Sequence, residues 1–384
     1  MKQSIKTKQI IAKYDVQTND AGIRYDVTLH LPDQTQVKVF YEIAGDVIPR
    51  SVTRADFLAV GFLTFAMHRG EDLYIDGPVS RQLLINLCEF QRAWVLWCPN
   101  LKIIKVTCRE EVNDVCSTTR RAVIAFSGGV DATFALSRHM LGQPEPDRCQ
   151  IVTALMVNGF DVALNNPEAF LVAQQSAQKI AAAMGVPLTT ISTNWRATAH
   201  DWGNEHGSGL AACLNLFSSV ADIGLIGSDE DYANFVVPWG SNPITNHFLS
   251  GESFRIVSEG GGFGRTAKVA SLAAIPRVAE NLRVCWEGPE TGENCGVCEK
   301  CVRTKLNFMA AGKSIPLSLG AAPTMAQIIA LRARNPVQVS FIVDILNSSK
   351  VTEMNSMKRM ALGFCVFKNK AKNAAIGLKK LNAG

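Results

Sequence analysis

No stretch of this sequence approaches the roughly 18 uninterrupted apolar residues that a membrane span requires. The most apolar window, Phe57 to Met67, is short and runs straight into His68 and Arg69. No sustained apolar run follows the basic residues at the start, so a secretory leader is not expected. Charge is scarce, at 19% of residues against roughly a quarter in ordinary proteins. Low-complexity tracts and internal repeats are lacking. These absences exclude membrane, disordered and repeat proteins and predict a soluble cytoplasmic one. At 384 residues the chain is long for one domain and comfortable for two.

Cysteine is not scarce, and its distribution matters more than its count of eleven. Cys88, Cys98, Cys108, Cys116, Cys149, Cys213 and Cys365 stand singly in apolar surroundings, where inert buried thiols are expected for most of them. The other four are clustered. The net charge of +5 is also uneven. From Lys313 onward eleven Lys and Arg face only Asp344 and Glu353, a local +9 that leaves −4 for the rest. Such a tail reads as a solvated helical face, or as a contact for nucleic acid or an acidic partner.

Patterning divides the chain in three. The first segment alternates apolar and polar residues in Tyr25–Leu31 and Val37–Tyr41, with a turn expected at Pro32-Asp33. Helical spacing appears in Arg54–His68 and Ser80–Trp97, with strands at Leu73–Asp76 and Ile103–Thr107. From Arg121 short apolar strands (Ala122–Phe126, Ile151–Val157, Leu188–Ile191, Ile223–Ile226) alternate with helical segments (Ala132–Met140, Phe170–Met184, Leu210–Ser218). That alternation implies βαβ units and a parallel sheet covered on both faces, with ligands at the carboxyl ends of the strands. The remainder is expected to be helical, broken at Pro316, Pro323 and Pro336.

The sharpest local signal is Phe126-Ser127-Gly128-Gly129-Val130-Asp131-Ala132-Thr133, placed between a buried strand and a helix. Glycines let the backbone approach phosphate oxygens, and the unpaired amides at a helix start attract negative charge. Ser127 and Thr133 add hydroxyls. Asp131 would repel bare phosphate, so it is expected to bind Mg²⁺ or to orient the loop. A tight strand-to-helix turn without phosphate is the plainer alternative. The Gly-Lys-Ser/Thr ending of a Walker A loop is missing. The segment instead resembles the Ser-Gly-Gly-x-Asp signature of the PP-loop ATP pyrophosphatases, with Ala132 where that family usually has Ser. The resemblance implies cleavage of ATP between its α- and β-phosphates and an adenylated substrate. It also implies that Val157 and Asn158, at the end of the second strand of this segment, line the adenine pocket.

Cys285, Cys295, Cys298 and Cys301 form the second strong signal, with gaps of nine, two and two residues. Four thiolates complete a tetrahedral zinc shell, and Gly292 and Gly296 loosen the chain around it. Closed four-cysteine sites are structural, and an Fe–S cluster is the competing metal reading.

The loop followed by these cysteines resembles the 7-cyano-7-deazaguanine synthase family of the queuosine pathway, over roughly Ala122 to Ala311. The resemblance implies an α/β fold with a doubly wound parallel sheet of the adenine nucleotide alpha-hydrolase-like type. An N-terminal α+β domain is then expected over residues 1–118, the ATPase domain with its zinc site over 119–312, and a basic helical extension over 313–384. It further implies nucleotide contacts from Gly227 and Ser228 and catalytic or phosphate-balancing roles for Ser127, Asp131, Arg265 and Lys268, the latter two just before a helix at Val269–Ala274. Substrate contacts are implied for His206, Ser208, Asp229, Trp239, Ser241 and Asn242. Taken alone, His206 and Asp229 also read as helix caps, Arg265 and Lys268 as a solvated pair, and Trp239 as core. Family members join a deazaguanine carboxylate to ammonia using ATP, Mg²⁺ and Zn²⁺. The front domain and tail have no counterpart there and suit a protein or peptide amine as acceptor. A homo-oligomer is expected and nucleic acid is not favoured. A tRNA-modifying PP-loop enzyme and a non-catalytic nucleotide-binding protein are the alternatives.

Overall fold

The computed structural model describes residues 9–19, 21–113, 119–141, 146–285, 291–333, 336–349 and 354–381. The front segment forms β1 (Gln9–Asn19), β2 (Gly22–His30), β3 (Gln36–Gly45), α1 (Asp56–Arg69), β4 (Asp72–Ser80), α2 (Arg81–Trp97) and β5 (Val106–Val112). The central segment continues with β6 (Arg121–Ala125), α3 (Val130–Met140), β7 (Gln150–Asn158), α4 (Pro167–Ala183), β8 (Leu188–Thr193), α5 (Trp202–Asn215), β9 (Ile223–Gly227) and β10 (Arg255–Glu259). Helices follow as α6 (Arg265–Leu272), α7 (Pro276–Ala279), α8 (Glu299–Ala310), α9 (Met325–Ala330), α10 (Pro336–Ser348) and α11 (Ser356–Leu381).

The ten strands of the described residues form one sheet in the order β10-β9-β6-β7-β8-β3-β2-β1-β4-β5. Six of the nine pairings are parallel. Strand β3 runs antiparallel to β8, from Tyr41 opposite Thr193 to Gly45 opposite Thr189, and so fuses the front segment to the central one. Along β2 every second residue, Ile23, Tyr25, Val27 and Leu29, points into the core. The alternation read from the sequence is therefore the face of a covered sheet. Helix α1 is buried from Asp56 through Met67, which explains its unbroken apolar run. It stops at Gly70, whose φ of 63° suits the left-handed cap position.

Within the parallel half the two faces separate cleanly. Val123 and Ala125 of β6 join a core shared with Tyr41, Phe57 and Trp195. Ala122 and Ile124 join a second core with residues of α3, α4, α6 and α8. This two-sided burial is compatible with a doubly wound α/β arrangement. Strands β7 and β8 lie to one side of β6, and β9 and β10 to the other. The direction of winding therefore reverses between β6 and β9, where open α/β sheets bind ligands.

Two strands were not anticipated. In β1 only Ile10 and Ala12 are buried at its inner end, and its outer half is solvated, so no alternation stands out. Strand β10 has five residues and contains Arg255 and Ser258. Helices α5 and α6 begin earlier than expected, placing His206 and Ser208 inside the first and Arg265 and Lys268 inside the second.

Helices α9 to α11 pack on α8 around Leu306, Ile328, Ile342, Leu362 and Cys365. Asp344 of α10 accepts hydrogen bonds from the Thr266 amide at 3.1 Å and hydroxyl at 2.6 Å, holding the start of α6. On its outer face α11 exposes Met357, Met360, Phe364 and Phe367. No helix among the described residues is long and apolar enough to cross a membrane. Of the single cysteines, Cys149, Cys213 and Cys365 are buried and Cys98 and Cys108 half-buried. Cys88 is exposed on the outer side of α2, an exception to the burial expected for most of the seven, and Cys116 lies outside the described residues.

Candidate functional site

A cleft of about 530 Å³ opens at the carboxyl ends of β6, β7 and β9. Its floor is the turn from β6 into α3. Gly128 there has a φ of 73°, which a side chain would strain. Gly227 at the end of β9 approaches so closely that a Cβ would lie 2.8 Å from the Asp131 backbone. Small residues thus bring the winding-reversal point against the first turn of α3, where early amides have no intrahelical partners.

Asp131 is the electrostatic centre. Arg265 Nη1 donates to its Oδ2 at 2.5 Å, and Lys268 Nζ to its Oδ1 at 3.3 Å. Lys268 also donates to the Ser228 carbonyl at 2.5 Å. Burial opposes ionisation of Asp131, but Arg265, Lys268 and Lys300 outweigh it and hold the carboxyl below its ordinary value. Arg265 and Lys268 are 5% and 1% exposed, so they are not the solvated pair that the sequence allowed. They are one helical turn apart on the buried face of α6. The Arg265 Nε and Nη2 groups are buried without a hydrogen-bond partner among the described residues. Orphaned guanidinium donors beside a cleft are the donor set that a phosphate or carboxylate satisfies.

The cleft lining gathers Phe126, Ser127, Gly129, Val130, Asp131 and Ala132 with Val157, Gly227, His206, Asp229, Trp239, Ser241 and Arg265. Other expected site residues stand behind it. Thr133 is fully buried with its hydroxyl unpartnered among the described residues. The Asn158 amide donates to Ser192 Oγ at 3.2 Å. Ser208 is buried within α5. Asn242 is 1% exposed and braces its own loop, donating to the Trp239 carbonyl and accepting from Thr245. Asp229 is not a helix cap; it accepts from the Trp239 indole at 3.1 Å. His206 lies inside α5, with its ring edge-on to Trp239 at 5.2 Å. Gly207 permits this wall to close, since a Cβ there would lie 1.9 Å from the Gly240 carbonyl oxygen.

Beside Asp229, Glu230 accepts from the Val236 amide at 3.0 Å and is 5% exposed. Burial raises its carboxyl from 4.5 to about 7, with Asp229 and Asp231 adding to the rise. Because the folded value is the higher one, the protonated group contributes stability that is full below about 4.5 and lost as pH rises through about 7. Glu230→Gln is therefore expected to flatten the fall of the melting temperature across that window. An unaltered pH profile of melting would show that Glu230 does not titrate there.

The four clustered cysteines come together as expected, their Sγ atoms all within 4.8 Å of one another. Cys285 and Cys298 are 3.7 Å apart and Cys295 and Cys301 4.0 Å. A tetrahedron with Zn–S bonds of about 2.3 Å needs edges of about 3.8 Å, so the set fits zinc. Hydrogen bonding from Cys301 pulls the Cys298 thiol down to about 5, toward the thiolate that ligates metal. Gly292 and Gly296 both take positive φ, and a Cβ on Gly292 would meet the Ala169 carbonyl at 2.2 Å. Lys305 Nζ ties the knuckle down through the Gly296 and Ala321 carbonyls, each at 2.8 Å.

This knuckle also delivers two cleft residues that the sequence reading missed. Arg283 stands two residues before Cys285, and its amide donates to the Gly128 carbonyl at 3.0 Å. Lys300 lies between Cys298 and Cys301, and both side chains line the cleft. Basic residues embedded in the metal motif were the available signal. Trp202 and Gln338 also line the cleft without having been singled out.

Magnesium is served less well. Both Asp131 oxygens are engaged by Arg265 and Lys268, so in this arrangement Asp131 orients cations and does not act as a free metal ligand. No family model, curated protein or solved structure matches the chain.

Proposed function

We propose that this chain is an ATP-dependent ligase that adenylates a carboxylate, releases pyrophosphate and passes the acyl group to an amine. The observation that carries the reading is the gathering of Arg265, Lys268 and Lys300 about Asp131, with Arg283 lining the same cleft. Three cations around one carboxylate leave a local excess of positive charge at a helix start. Such a site suits the polyphosphate of ATP and the pyrophosphate that departs from it.

In this reading the loop amides and Ser127 bind phosphate, and Arg265 turns its orphaned donors to the developing charge. Asp131 keeps Arg265 and Lys268 aligned. Adenine lies along Phe126, Met156 and Val157, at the apolar ends of β6 and β7. The carboxylate substrate occupies the wall formed by His206, Asp229, Trp239 and Ser241. Trp239 offers a flat surface to a heterocycle and Asp229 an acceptor, both suited to a deazaguanine ring. The carboxylate oxygen attacks the α-phosphorus, and its bond to the β-phosphate oxygen breaks. An amine, either ammonia or a peptide amine, then displaces AMP. The four-cysteine zinc is structural and takes no part in these steps.

The substrate assignment is tested by mass spectrometry after incubation with ATP, Mg²⁺ and 7-carboxy-7-deazaguanine. AMP together with an adenylate, amide or nitrile of the deazaguanine is expected. An unconsumed deazaguanine would remove that substrate class.

A further inference from the structure

Away from the cleft, at the contact of α1 with α5, lies a second cluster of metal-ligating side chains. His68 in the last turn of α1, His200 just before α5 and Glu205 in the first turn of α5 each bring one ligand atom within 4.8 Å of the others. His68 Nε2 is 3.2 Å from Glu205 Oε1, and the two imidazoles stack with centroids 4.2 Å apart. Glu205 is 2% exposed.

Helix capping accounts for only half of this carboxylate. Oε1 accepts from the amides of His200 at 2.9 Å and Asp201 at 2.7 Å. Oε2 is buried with no hydrogen-bond partner among the described residues, a costly state for a carboxylate oxygen unless a cation meets it. The neighbouring cation does not do so, because Arg69 pairs with Glu71 at 2.6 Å and Asp33 at 3.6 Å. The Asn100 amide lies 3.4 Å from His68 Nδ1 and can set either tautomer of the ring by presenting its nitrogen or its oxygen.

We propose that His68, His200 and Glu205 hold a divalent transition-metal ion, zinc by preference, independently of the four-cysteine site and of the adenylation reading. Two imidazoles and a carboxylate are donors that zinc accepts, and the exposure of His200 leaves a remaining position to water. The ion bridges the front segment to α5, the helix that carries Trp202, Gly203 and His206 into the cleft wall. The front segment thereby gains a metal-dependent grip on the substrate side of the cleft.

The experiment compares zinc content of the full-length protein and of His200→Ala after equilibrium dialysis against excess zinc. One equivalent fewer is expected in the variant, with the thiolate-to-metal absorption of the cobalt-substituted cysteine site unchanged. Because His200 is exposed, the variant is expected to fold. Thermal melting supplies the second readout, with added zinc raising the wild-type midpoint more than that of the variant. Equal zinc content in the two proteins would overturn the assignment, as would loss of the equivalent together with the thiolate absorption.

Discussion

Asp131→Asn is expected to lower the rate of AMP formation by about 10²-fold or more, the size of loss seen when one preorganised charge-stabilising group is removed from an active site. The asparagine keeps the shape of Asp131 but removes the charge that aligns Arg265 and Lys268. Asp131→Ala goes further, because it leaves two buried cations without a counterion. Breaking a buried pair in this way costs about 3–5 kcal/mol, so this variant is expected to melt at lower temperature as well. Zinc content should be the same in both, since the cysteine cluster does not touch the carboxylate. Steady-state AMP release, thermal melting and metal analysis together separate a catalytic from a structural loss. Wild-type AMP rates in Asp131→Asn would remove Asp131 from the reaction.

Cys298→Ser is expected to abolish zinc binding at the cluster and to suppress AMP formation almost completely, although the phosphate loop itself is untouched. The reason is positional. Arg283 precedes and Lys300 interrupts the ligand series, so the knuckle that folds around the ion also sets both cations in the cleft wall, with Lys300 acting on Asp131. Structural zinc contributes about 10–16 kcal/mol to the folding of isolated zinc-finger peptides. Here the surrounding helices share that burden, and a local collapse of the segment around 291–301 is the expected result. Removing zinc with a chelator should have the same effect on the unaltered protein, and restoring zinc should reverse it. Loss of metal with full AMP formation would show that the knuckle does not position Arg283 and Lys300.

Much of this arrangement was legible in the sequence where a single physical constraint dominates. The strands β6 to β9 are short apolar runs because the sheet is covered on both faces. The Ser127–Asp131 turn needs glycine, and the four cysteines need one another. Harder to read were features that depend on residues distant in the chain. Helix α5 hides its start behind Gly203, Gly207 and Gly209, which weaken the helical pattern. Gly207 and Gly209 are there because the Gly240 carbonyl and the Trp195 ring press against them. Reciprocal bonds fix that start, with Asp201 Oδ1 accepting from Gly203 and Glu205 from Asp201. The start of α6 depends on Asp344, almost eighty residues downstream. Nor does any local pattern reveal that β3 pairs with β8, since each strand reads the same beside another partner.

The most direct test of the central claim is the fate of ATP labelled at the α-phosphate, incubated with the protein, Mg²⁺ and a panel of deazapurine and other carboxylates. The account predicts labelled AMP and free pyrophosphate, formed only when a carboxylate is present and reduced in Asp131→Asn. Labelled ADP with inorganic phosphate, or ATP returned intact with every carboxylate, would contradict it.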